Sequence, residues 1–159
     1  MIFTGKCFTF GDNVDTDQIL PSQHLVLPSI KEMSKHAMEP LLPDFSEIFE
    51  PGDIIIAGHN FGCGSSREQA PAVLKELGVQ VIIAKDFARI FFRNCINIGI
   101  LLIELKEAYE FHSGDVISID TAKSNITNTD KVYNFTPLSE FLESIISKGG
   151  LVNYFAENK

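Results

Sequence analysis

The residues best equipped for chemistry lie in one stretch, Gly58-His59-Asn60-Phe61-Gly62-Cys63-Gly64-Ser65-Ser66-Arg67-Glu68. Gly58, Gly62 and Gly64 allow a sharp backbone turn and a close approach by a ligand. Two hydroxyls and a guanidinium follow at once. Together with free backbone N–H groups they suit an anion, above all a carboxylate or a phosphate. Three familiar signatures fail here. Counting from Gly62, Arg67 stands where a dinucleotide fingerprint needs its third glycine. The P-loop lysine is missing. Gly62-Cys63-Gly64-Ser65-Ser66 is not the Gly-x-Ser-x-Gly elbow of a serine hydrolase. What is left is an anion-binding loop for a small ligand.

The neighbouring elements must hold this loop. Asp53-Ile54-Ile55-Ile56-Ala57 reads as a buried strand leading in, and Ala72–Leu77 as a helix stopped by Gly78. Ser65 and Glu68 have capping-box spacing, so Ser65 is a candidate helix cap. Pro71 would then fall in the second turn and meet a carbonyl. A separate short turn at 65–69, with the helix starting near Pro71, avoids that clash.

Residues 1–10 read as a strand, followed by the acidic, turn-rich segment Gly11–Pro21. Its aspartates do not make a calcium loop: from Asp15, the sixth position is Leu20 and the twelfth is Val26. Residues 23–28 read as a short strand or a loop tip. Ser29 and Glu32 predict a helix running to about Met38, and Pro40, Pro43 and Pro51 then break the chain. Further strands are expected at 79–84, 100–105, 116–120 and 132–135, with a turn region at 121–131. One helix is expected with Asp86 as its cap, and another starting at Thr136-Pro137 and ending at Gly149-Gly150. This is an α/β pattern with a late β-rich part. Its alternation is not strict enough for a plain nucleotide-binding fold.

The 159 residues suit a single domain over 1–159, with 45% hydrophobic and 21% charged residues as in a globular protein. Thirteen basic against 21 acidic residues give a formal charge of -8, poor material for binding nucleic acid. No apolar run is long enough to span a bilayer, and the start lacks the pattern of a signal peptide. Cys7, Cys63 and Cys95 show no metal-ligand spacing and no disulfide framework, which fits a reduced cytoplasm and small buried hydrophobes. His24, His36, His59 and His112 are scattered, so surface or loop roles are expected.

Three ordered motifs carry a resemblance across nearly the whole chain: Asp15-Thr16-Asp17-Gln18-Ile19-Leu20-Pro21, Asn60–Glu68, and Ala84-Lys85-Asp86-Phe87-Ala88-Arg89-Ile90-Phe91-Phe92-Arg93-Asn94. The chain resembles the aconitase superfamily's swivelling domain. Within it, the chain is similar to the short small subunits shared by 3-isopropylmalate dehydratases and homoaconitases. The resemblance implies a three-layer β/β/α domain. It implies a hydro-lyase that isomerises a small hydroxy acid by dehydration and rehydration, here 2-isopropylmalate to 3-isopropylmalate in leucine biosynthesis. It also implies a large-subunit partner carrying the [4Fe-4S] cluster, a Lewis acid on the departing hydroxyl, with no metal on this chain.

By the same resemblance Ser65 is the catalytic base, aided by Arg67 and loop N–H groups. Ser66 and Arg67 grip a substrate carboxylate. Asp17 is the second catalytic residue and orients a histidine of the large subunit, although an Asx-turn would equally explain it. Arg89 and Arg93 are expected in structural ion pairs. The loop after the aspartate motif approaches the group that varies between substrates. Leu25, Val26 and Leu27 there suit an isopropyl group and offer a carboxylate no partner; plain core packing would also account for them. Gln69 replaces the family's usual histidine and His24 its usual tyrosine, which leaves homoaconitase and dimethylmalate dehydratase as alternatives. A stand-alone anion-binding regulatory module is the alternative from another class.

Overall fold

The computed structural model describes residues 1–157. Its elements are β1 (Ile2–Thr9), α1 (Thr16–Ile19), a 3-10 turn (Ser22–Val26), α2 (Ile30–Ser34), α3 (Phe45–Ile48), β2 (Ile54–Ile56) and α4 (Gln69–Leu77). There follow β3 (Val81–Ala84), α5 (Arg89–Asn97), β4 (Leu101–Glu104), a 3-10 turn (Ala108–Glu110), β5 (Val116–Asp120), β6 (Asn125–Asn128), β7 (Lys131–Asn134), α6 (Glu140–Ser147) and α7 (Leu151–Glu157).

The sheet order is β4-β3-β2-β1-β5-β6-β7. β1 serves two sheets in turn. Its first half, Ile2–Lys6, pairs antiparallel with β5, and its last residues, Cys7–Thr9, pair parallel with β2. β2, β3 and β4 continue in parallel, and β6 and β7 continue antiparallel. Each parallel step moves the same way along the sheet. Right-handed crossovers therefore leave their helices on one face.

Side-chain alternation along the strands divides the core. Phe8, Ile55, Ile82 and Leu102 face Val73 and Leu74 of α4 and Phe91 and Cys95 of α5. Cys7, Ile54, Ile56, Val81, Ile83, Leu101 and Ile103 face the opposite way, toward Ile117, Ile119 and Ile126 of the antiparallel strands and Ile145 and Ile146 of α6. Helices, parallel strands and antiparallel strands thus form the three layers expected. Burial on both faces explains why Ile54-Ile55-Ile56 and Val81-Ile82-Ile83 read as unbroken apolar runs. Each such side chain contributes about 1.5–3 kcal/mol by leaving water.

Several local expectations are corrected. Ser29 does cap α2, accepting from the Glu32 N–H, but the helix ends at Ser34 and passes into turns. The segment 121–131 is not all turn, because β6 lies within it, held in a hairpin against β7. The cap of α6 is Ser139, whose Oγ accepts from the Leu142 N–H; Thr136-Pro137 lies before it in irregular chain. α7 follows Gly149-Gly150. No helix among the described residues is long and apolar enough to cross a membrane.

Candidate active site

The loops after β1, β2 and β3 leave from the same edge, the carboxyl ends of the parallel strands, where ligands of α/β sheets bind. A backbone ladder zips the first two together. Gly58 N–H donates to Gly11 O, Asn13 N–H to His59 O, Gly62 N–H to Val14 O at 2.7 Å, and Thr16 N–H to Cys63 O at 2.9 Å. The third loop joins at Phe61, whose N–H donates to Asp86 O and whose O accepts from Ala88 N–H. Asp86 is not the helix cap that the sequence suggests, since α5 starts only at Arg89 with Ala88 at its cap position. Its carboxylate accepts from the Asn60 N–H and pairs with His59 Nδ1 at 2.8 Å, and these contacts hold the acid below its ordinary pKa.

Asp15 caps α1 with a reciprocal capping box to Gln18. That short helix presents Asp17. Arg67 donates to Asp17 Oδ1 at 3.2 Å and to Leu20 O at 3.0 Å. The Ser22 N–H donates to the same carboxylate oxygen at 3.0 Å. The Ser22 N–H and then Arg67 hold the Asp17 carboxyl below its usual range. Asp17 and Arg67, fifty positions apart, therefore meet directly.

Ser65 caps nothing. α4 begins at Gln69, and Glu68 precedes it without a side-chain cap. Pro71 falls in the first turn, where its missing N–H had no intrahelical partner to lose. The turn carrying Ser65 and Ser66 is exposed, and neither hydroxyl makes a hydrogen bond within the described residues. The Ser65 carbonyl is tied down by Thr16 Oγ1, which donates to it at 2.8 Å. Gly62 (φ +83°) and Gly64 (φ +91°) supply the left-handed turns.

Ser65, Ser66 and Arg67 line a cleft of about 200 Å³ with Thr16, Gly62, Gly64, Asn94 and residues 88–91 at the start of α5. Arg89 was missed as a site residue by sequence reasoning. Among the described residues neither Arg89 nor Arg93 makes the ion pair expected of it, and both are exposed. The first N–H groups of α5 have no side-chain cap. Two guanidiniums and a helix start facing one cleft form a positive spot on an otherwise acidic chain, suited to a ligand with two carboxylates. Thr16 and Arg89 were discoverable, since both lie inside motifs already recognised.

Leu25, Val26 and Leu27 do not line this cleft. Leu25 and Leu27 pack partly against the helical-face core, and Val26 is 87% exposed. The cysteines do not fit a metal cluster. Cys7 and Cys95 sit in separate cores, and burial pushes the Cys7 thiol up to about 12 and the Cys95 thiol well above its ordinary value. Cys63 alone is partly exposed, and partial burial followed by nearby Asp15 raises its pKa too.

A fold with this loop constellation defines a domain of the aconitase type. Residues 31–108 match the family model described as the aconitase C-terminal domain. The chain is 49% identical to the 3-isopropylmalate dehydratase small subunit of Nautilia profundicola, over 98% of this chain and 95% of that one. It is 47% identical to the methanogen homoaconitase small subunit of Methanothermobacter thermautotrophicus, over 97% and 91%. The crystal structure of a 3-isopropylmalate dehydratase from Methanocaldococcus jannaschii superposes with a TM-score of 0.93 at 41% identity, covering 99% of this chain and 95% of that one. The chain belongs to the family of 3-isopropylmalate dehydratase small subunits.

Proposed function

We propose that this chain, as a single swivelling domain in the cytoplasm, is the small subunit of a two-subunit hydro-lyase that interconverts 2-isopropylmalate and 3-isopropylmalate. The observation that carries the reading is the convergence of Ser65, Ser66, Arg67 and Arg89 on one cleft beside Asp17. At about 200 Å³ that cleft is smaller than the roughly 300–1,000 Å³ of complete ligand sites, as half of a shared site would be. A large subunit closes it and brings the [4Fe-4S] cluster, for which the separately placed Cys7, Cys63 and Cys95 are not a ligand set.

Arg67 arrives already oriented by Asp17 and Leu20 O, so gripping a carboxylate costs it little further freedom. Arg89 is free to meet the second carboxylate. Ser65 Oγ takes the substrate proton, and the two guanidiniums with the uncapped N–H groups of α5 favour its anionic form. The relatives named for this substrate support the isopropylmalate reading.

The test is anaerobic reconstitution with a cluster-bearing large subunit, assaying isopropylmalate, homocitrate-type and dimethylmalate substrates side by side. Isopropylmalate turnover is expected, falling by roughly 10²–10⁴ in Ser65→Ala with circular dichroism and subunit assembly unchanged. Near-normal turnover of Ser65→Ala removes the residue from its role. Failure to bind or activate a large subunit favours a stand-alone anion-binding module.

A further inference from the structure

Two of the four scattered histidines are not scattered in space. His24 lies on the 3-10 turn Ser22–Val26, and His36 and Glu39 lie in the turns that follow α2. The two imidazoles stack with centroids 3.6 Å apart and planes within 8°. His36 Nδ1 pairs with Glu39 Oε2, and His24 Nε2 stands 3.8 Å from the same oxygen. One nitrogen from each ring and a carboxylate oxygen all fall within 4.8 Å of one another.

A second observation points to a missing ligand. His24 Nε2 is the one buried side-chain nitrogen or oxygen among the described residues without a hydrogen-bond partner. Leaving such a group unsatisfied is costly, and 3.8 Å is too long for a hydrogen bond to Glu39. We propose that His24, His36 and Glu39 form a binding site for a divalent transition-metal ion of the zinc or cobalt(II) type. Two imidazoles and one carboxylate are a ligand set such ions accept, with water completing the shell.

Around a tetrahedral ion at these bond lengths, donor atoms lie about 3.3 Å apart. Filling the site therefore lengthens the His36–Glu39 contact, draws His24 Nε2 in, and fans the stacked rings apart so that both lone pairs point at the metal. The ion would fasten the Ser22–Val26 turn to the turns after α2. That turn also donates the Ser22 N–H to Asp17, so the metal would brace the segment beside the candidate active site without entering it.

The binding test does not depend on the proposed activity. Chelator-treated chain is titrated with Co²⁺, followed by visible absorption, and with Zn²⁺, followed by calorimetry. One saturable ion per chain is expected, with affinity lowered at least tenfold in His24→Gln, in His36→Gln and in Glu39→Gln. Cys63→Ser should bind as the wild type does. No saturable binding overturns the proposal. So does binding that survives in the His24→Gln/His36→Gln double variant but is lost in Cys63→Ser. Ring-proton NMR of the unmodified chain gives a check that no folding defect can mimic. Zn²⁺ should shift His24 and His36 while leaving His59 and His112 in place, and the reverse pattern refutes the site.

Discussion

Replacing Gly62 by alanine tests how the active-site loop is braced. Its φ of +83° is a conformation that a side chain makes costly by about 1–2 kcal/mol. Space is the second obstacle. An added Cβ would stand 2.1 Å from Cγ of Phe91 and 2.5 Å from its Cβ and Cδ1. Phe91 is only 2% exposed and packs in the helical-face core, so it cannot swing out cheaply. Overpacking of this kind costs a further 1–3 kcal/mol, roughly. Gly64 separates the two effects. Its φ is +91°, yet the nearest atom to an added Cβ, from Asp15, is 3.4 Å away. Gly64→Ala should therefore show the backbone cost alone. Gly11→Ala, with nothing within 4 Å, should be neutral or gain about 0.4–1 kcal/mol. Urea unfolding of the three variants is the assay. With a slope of about 1–3 kcal/mol per molar urea, Gly62→Ala should lower the midpoint well beyond Gly64→Ala. If the two fall within about 0.5 kcal/mol of each other, Phe91 does not brace the loop and the reasoning fails.

Other expectations concern the site directly. Arg67→Lys keeps the charge but loses the fork that reaches Asp17 and Leu20 O, so KM should rise roughly tenfold to a hundredfold in the reconstituted enzyme, with a smaller effect on kcat. Arg89→Ala should also raise KM while leaving the urea midpoint unchanged, since Arg89 is exposed and has no ion-pair partner among the described residues; an unaltered KM would take it out of the site. Val26→Arg should fold normally, because Val26 is exposed; a shift toward a tricarboxylate in the reconstituted enzyme would show that the large subunit brings this loop, which stands outside the cleft, onto the substrate, and unchanged selectivity would show that the loop does not choose substrate. The folded-state pKa values of Asp17 and Asp86 lie below the ordinary 3.8. Their contribution to stability is thus present above that value and lost as pH falls through the depressed one. Thermal melts should be insensitive to these two groups above pH ~5, and Asp86→Asn should flatten the decline seen below pH ~4.

The strands carrying the site were legible because burial on both faces leaves unbroken apolar runs, as at Ile54–Ile56. The helix ends were less so. Ser65, Asp86 and Thr136 all have capping chemistry, but tertiary partners or simple position put each to other use. β6 was hidden because Asn125, Thr127 and Asn128 carry turn-like chemistry on a strand that buries only Ile126. In the site, residue chemistry singled out Ser65, Ser66 and Arg67, and the family resemblance added Asp17. The direct Arg67–Asp17 contact and the free Arg89 depend on which loops share an edge, and local pattern does not encode that. The same holds for His24 and His36, whose twelve-residue separation gives no hint of stacked rings.

The ladder between the loops after β1 and β2 makes chain length, rather than side-chain identity, the quantity that aligns the two halves of the site. From Gly11–Gly58 to Thr16–Cys63 the rungs are main-chain bonds, indifferent to most substitutions. An inserted residue is another matter. One extra position between Gly11 and Asp15 would slip the ladder by a step, about 3.4 Å. Asp17 would then be carried away from Arg67, although every functional side chain would still be present. The site is in this sense ruled like a scale, tolerant of what is written at each mark and intolerant of a mark added.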